Sequence, residues 1–179
     1  MAKIERPKAR KEYKCSKCGK VIKVGDTYLK GTPFRRSPVI RCTKCGLRSW
    51  ELSSSDYVQG VGRVSDCWKE DYDCAEDTAQ QIADELSNIQ NDTQCSLDNM
   101  PEGLQEGDTG QLLQERIDNL DSAISDLEAI DYDSIKEEAE AEAENEFDAG
   151  TDEYEASVKA RIEEELTDRI NEALGQLDY

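Results

Sequence analysis

The chain has 179 residues, with 22 Lys and Arg against 41 Asp and Glu, seven Cys and no His. The missing His excludes Ser–His and Cys–His catalysis and any His-ligated metal, leaving thiolate and carboxylate as the strong ligand types. Leu, Ile, Val and Phe together number 33, about 18% of the chain, below the ~20% at which a strongly charged chain approaches disorder, so small modules or elongated helices are expected in place of one large core.

No apolar run approaches the roughly 18 residues of a membrane span. The segment from Met1 to Lys14 is basic but has no apolar stretch after it, so no signal peptide is expected. Seven Cys in a chain without an export signal point to a reducing cytoplasm, where spaced Cys more often bind metal than form disulfides.

The net charge of -19 averages two different segments. Residues 1–48 hold 15 Lys and Arg against 3 Asp and Glu, a net of +12; residues 49–179 hold 7 against 38, a net of -31. The head is suited to phosphate or to an acidic protein surface. The body repels phosphate and is suited to a basic surface, including one built to hold nucleic acid.

The most specific motif is Cys15-x2-Cys18 followed by Cys42-x2-Cys45, each pair continuing into Gly, at Gly19 and Gly46. Two thiols three positions apart on a tight turn can share one ion. Four thiolates close a tetrahedral Zn2+ site with no position left for water, so one structural ion is expected. Between the pairs, Val21, Ile22 and Val24 precede Gly25-Asp26, and Thr27-Tyr28-Leu29 follow, a pattern that predicts a hairpin. Val39-Ile40 then leads into the second pair.

Pattern and spacing over residues 13–52 resemble the zinc-ribbon and treble-clef families, and the spacing alone leaves both open. The loops carry Lys17, Lys20, Lys23, Lys30, Arg35, Arg36, Arg41, Lys44 and Arg48, interleaved with Tyr28, Phe34 and Trp50. Cations with aromatics serve backbone contact and base stacking in nucleic-acid binding. The same residues also suit docking on an acidic protein surface, or aromatics that only fill a small core.

Cys67, Cys74 and Cys95 lack paired spacing. Cys67 and Cys74, with Asp66, Asp71 or Asp73 nearby, allow a second metal site, but ordinary thiols are the expectation. Ser53-Ser54-Ser55 and Gly60-x-Gly62 mark a joint in which Tyr57, Val58, Val61 and Val64 are expected to form a short strand or packing loop.

From about Asp71 the pattern turns helical. Ala75, Ala79, Ile82, Leu86 and Ile89 share one face, and a breaker-rich loop from Asn99 to Gly110 ends that segment. Leu113, Ile117, Leu120, Ile124 and Leu127 follow coiled-coil spacing from a cap expected at Asp108 or Thr109. Ser134 with Glu137 predicts a capping box for a third helix along Ile135, Ala139, Ala143 and Phe147. A fourth begins near Thr151 and carries Val158, Ile162, Leu166, Ile170, Leu174 and Leu177. Stripes this narrow need an apolar partner, from hairpins within the chain, a homodimer, or another protein.

The expected architecture is thus a basic four-Cys zinc β module at 1–52, a joint at 53–70, and an acidic all-α hairpin or coiled-coil body at 71–179. The opening from Cys15 to Tyr28, joined to an acidic helical tail, resembles phage-encoded accessory proteins. In size and build it is similar to anti-CRISPR proteins that bind a type II effector nuclease. That resemblance implies a non-enzymatic, stoichiometric inhibitor acting in a host bacterial cytoplasm on a basic channel or on arginines that read DNA. The alternative is a zinc-dependent nucleic-acid-binding regulator whose helices dimerise or recruit a partner. Charge separates the two readings. A body of -31 outweighs a head of +12, so intact protein is repelled from DNA except within a Debye length of ~8–10 Å of the head.

Overall fold

The computed structural model describes residues 4–33, 37–72 and 76–177. Phe34, Arg35, Arg36, Asp73, Cys74 and Ala75 lie outside the described residues, and with them the expectations placed there. The chain forms two compact units, Met1–Gly62 and Arg63–Asp178.

The described residues of the first unit form five short strands: β1 (Ile4–Glu5), β2 (Tyr13–Lys14), β3 (Val21–Ile22), β4 (Tyr28–Gly31) and β5 (Val39–Cys42). β4 is the centre of an antiparallel sheet ordered β1-β4-β5, and β2 pairs with β3 in a separate two-stranded ladder. The residues flanking Gly25-Asp26 are therefore strands, but they do not form the expected hairpin with each other. The cause lies upstream. The turn from Cys15 to Lys20 already folds β3 back onto β2, with Tyr13 opposite Ile22. The backbone groups around Gly25 are taken by the segment before β2: Ala9 N donates to Asp26 O at 2.9 Å, Gly25 N to Ala9 O at 2.8 Å, and Tyr28 N to Pro7 O at 3.1 Å.

Side chains alternate across a strand, so the sheet feeds two small cores. Tyr28 and Ile40 join Ala9, Cys15, Ile22 and Cys42 on one side. Leu29 and Val39 join Leu47, Leu52 and Ile4 on the other. Each core holds only a handful of side chains, and a module this small usually needs a metal or disulfide to stay folded. A single 3-10 turn, Trp50–Leu52, follows the second Cys pair.

The stretch expected as a short strand or packing loop is instead helix α1, Asp56–Asp71. Tyr57, Val61, Val64 and Trp68 recur at intervals of four and three, and all four are buried. Gly60 and Gly62 read as breakers in the sequence, but burial of this stripe outweighs a Gly penalty of about 1 kcal/mol each. The boundary between the two units falls within this helix.

The second unit continues with α2 (Thr78–Asp98), α3 (Glu102–Gln105), α4 (Asp108–Glu128), α5 (Tyr132–Ala143) and α6 (Asp152–Leu174). α4 packs on α2 and on α6, and α5 packs on α6. Most of each expected stripe is buried: Ile82 and Leu86 in α2, Ile117, Leu120, Ile124 and Leu127 in α4, and Ile162, Leu166, Ile170 and Leu174 in α6, while Ile89, Leu113 and Val158 are half-buried. The apolar partner each stripe requires is thus a neighbouring helix of the same chain. Gln90 crosses from α2 to Asp121 of α4 at 3.3 Å.

Two caps differ from expectation. α4 follows Gly107, with no side-chain cap from Asp108 or Thr109. α5 starts earlier than the Ser134–Glu137 box implies, because Asp131 accepts the amides of Asp133 and Ser134. Phe147 lies beyond the end of α5. Thr151 caps α6 through the amide of Tyr154, at the expected place. No described helix is long and apolar enough to cross a membrane.

Candidate metal centre

The four paired cysteines come together. The Sγ atoms of Cys15, Cys18, Cys42 and Cys45 all lie within 4.8 Å of one another, and those of Cys18 and Cys42 are 3.8 Å apart. A tetrahedral ion with Zn–S bonds of about 2.3 Å holds its sulfurs ~3.8 Å apart, whereas a disulfide needs about 2.05 Å. The separation therefore suits ligands around one ion and not a cystine. The cluster can hold a metal ion such as zinc.

Local backbone chemistry builds the cluster from each pair. In the first, Gly19 N donates to Cys15 O and Cys15 N to Lys20 O, both at 2.9 Å. In the second, Cys45 N donates to Cys42 O at 3.1 Å. Gly19 at φ 70° and Gly46 at φ 65° close the turns in the left-handed region, where a side chain is strained. The turns are joined across the fold by Ser16, whose amide and hydroxyl donate to Ile40 O at 2.8 and 2.9 Å. Ile40 lies in β5, which ends at Cys42.

The thiols are unequal. Cys15 and Cys42 are buried, Cys45 is half-buried and Cys18 is exposed. Burial pushes Cys15 up, but the amides of Cys18, Cys42 and Lys17 outweigh it and bring the thiol down to about 6. The Cys45 amide, then its thiol, lowers Cys42. Cys45 is pushed up to about 12, first by the Cys18 thiol and next by that of Cys42. Four sulfurs this close cannot all ionise beside one another without a cation, and a divalent ion removes that obstacle. The donor set thus fits a thiophilic cation. Among the described residues, no other group of three or more Cys, Asp and Glu is arranged to hold an ion.

The predicted contact cations are distributed unevenly. Lys17 and Lys44 occupy the same place in the two Cys-x-Lys-Cys turns and are exposed, as are Lys20 and Lys23. Lys30 is half-buried in β4. Arg41 is ion-paired to Glu51 at 2.7 Å with only 14% of its side chain exposed, while Glu51 also accepts the Arg48 amide at 2.8 Å. Arg41 therefore ties β5 to the 3-10 turn. Tyr28 is buried and lies against Tyr13, with ring centroids 5.0 Å apart, so its ring belongs to the core and is closed to a nucleobase. The chain matches no family model, no curated protein and no solved structure.

Proposed function

We propose that the protein is a non-catalytic inhibitor. Its acidic helical body occupies the basic, nucleic-acid-binding channel of a target enzyme, and its head is a rigid module held by one zinc ion. One observation carries this reading: packing of α2, α4, α5 and α6 consumes most of their apolar stripes. The surface left to a partner is then dominated by carboxylate, in a segment with 38 acids and 7 bases. Such a surface attracts a groove lined with Lys and Arg and repels nucleic acid itself. We read the head as ribbon-like, because both cysteine pairs sit on turns at strand ends.

The first target to test is a type II CRISPR effector nuclease, whose channels hold a guide heteroduplex by its backbone. Guided DNA cleavage is measured while zinc-loaded protein is titrated in. Loss of cleavage at stoichiometric ratio supports the proposal. Unaltered cleavage by several such nucleases, and by other nucleic-acid enzymes, refutes it.

A second reading has its own support. Lys17, Lys20 and Lys44 have no ion pair among the described residues and stand on or beside the metal-site turns. They would serve a regulator that contacts phosphate through the head. That reading requires the intact chain to bind DNA or RNA with a steep salt dependence.

A further inference from the structure

The second unit contains a cleft of about 660 Å³ lined by residues of α5 and α6 and by the approach to α2, a volume in the range of small-ligand pockets. Tyr132, Tyr154, Val158 and Ile162 supply its apolar lining. Glu76, Asp77, Glu140, Glu155 and Glu163 surround them, against a single cation among the described residues, Lys159. The hydroxyls of Tyr132 and Tyr154 have no hydrogen-bond partner among the described residues. Tyr154 is held protonated above its ordinary range, first by burial and then by Glu140 and Glu144, which marks the negative potential inside the cleft.

The same pair of helices already holds one arginine. Arg161 reaches from α6 to Glu142 of α5 and to Glu146 just beyond the end of α5, lying 2.9 Å from the latter. The Arg161 side chain is only 29% exposed. The cleft likewise sets carboxylates, Glu140 from α5 and Glu155 and Glu163 from α6, around apolar side chains, and adds two tyrosine rings.

We propose that this cleft seats an arginine-bearing segment of a protein partner. The guanidinium lies against Tyr132 and Tyr154, and Glu140, Glu155 and Glu163 hold it. A planar, weakly hydrated cation suits aromatic faces and paired carboxylates better than an ammonium does. Charge complementarity excludes nucleic acid as the occupant. This inference rests on the reading that the body binds a basic protein surface, and it names where on the body that contact is made.

The test uses full-length, zinc-loaded protein and the blocked peptide Gly-Arg-Gly-Arg-Gly, followed by titration calorimetry and by the tyrosine ring resonances in NMR. The expected result is saturable binding that shifts the Tyr132 and Tyr154 rings, with weaker binding of the matching lysine peptide. The exposed pair Glu155→Gln/Glu163→Gln should weaken binding about tenfold. Tyr154→Ala should weaken it similarly, while Glu115→Gln/Glu128→Gln on α4 stays within about twofold.

Equal weakening by the two glutamine pairs would reduce the effect to the diffuse field of the body and overturn the site. Unmoved tyrosine rings would do the same. Sedimentation of the chain alone covers the other occupant. Self-association abolished by Glu155→Gln/Glu163→Gln would make a second copy's basic head the ligand and overturn the partner claim. Peptide binding in the cleft without inhibition of any nucleic-acid enzyme would leave the site standing and refute only the proposed function.

Discussion

The sulfurs of Cys18 and Cys42 stand 3.8 Å apart although the residues are 24 positions apart in the chain. Ser16 bonding to Ile40 O brings the first turn to the end of β5, and this contact makes the separation possible. Without an ion, the neighbouring thiolates repel and the two small cores carry the head alone. Cys42→Ser is therefore expected to lose bound metal and unfold the head while most helix signal remains, because five of the six helices among the described residues lie in the other compact unit. Metal content per chain, with far-UV circular dichroism, checks this. Wild-type zinc content in the variant would remove Cys42 from the ligand set.

The unequal thiols set a pH dependence for metal binding. Cys15 titrates at about 6, so above that pH it binds metal without releasing a proton, and below it must release one. Its lowered value stabilises the thiolate state at high pH, and that advantage is lost as pH falls through about 6. Zinc affinity, measured against a competing chelator, should fall more steeply below about pH 6 than above it, by one further proton per ion. A single slope across that value would show that Cys15 does not enter the site as a preformed thiolate.

Much of this architecture was legible in the residues. The Cys-x-x-Cys-Gly repeat named the cluster because its spacing is short-range and its chemistry leaves few alternatives. The stripes of α4 and α6 were equally clear, since their period is helical over several turns. Strand pairing was not legible. Nothing local to Gly25-Asp26 shows that Pro7 and Ala9, far upstream, take the hydrogen bonds a hairpin would use. α1 was hidden by its two glycines, whose local cost is outweighed by burial that only the folded unit reveals. The cleft between α5 and α6 was invisible for the same reason, because Tyr132 and Tyr154 come to line one cleft only through the packing of two helices.

Packing of the acidic body gives a direct stability prediction. Leu120 of α4 is fully buried, whereas Leu112 of the same helix is 45% exposed. Leu120→Ala removes buried apolar volume and leaves a cavity, at an expected cost of about 2–5 kcal/mol. Leu112→Ala should change stability by no more than about 0.5 kcal/mol. Urea unfolding followed by circular dichroism separates them. Equal midpoints would mean that α4 is not held by this stripe.

Trp68 of α1 is 2% exposed, and its indole Nε1 donates to Asn171 Oδ1 of α6 at 3.2 Å. The indole N–H of a buried ring usually finds an acceptor, and no sequence motif points to one 103 residues away. Asn171 is exposed, so water can take its place in Asn171→Ala, at an expected cost of about 0.5–1.5 kcal/mol. Asn171→Asp keeps an acceptor and should recover most of the loss. Trp68→Phe removes the donor itself, so Asn171→Ala should cost much less in that background than alone. The double-mutant cycle, read by urea unfolding, measures the coupling. Additive losses would mean that the hydrogen bond contributes nothing and that Trp68 is held by burial alone.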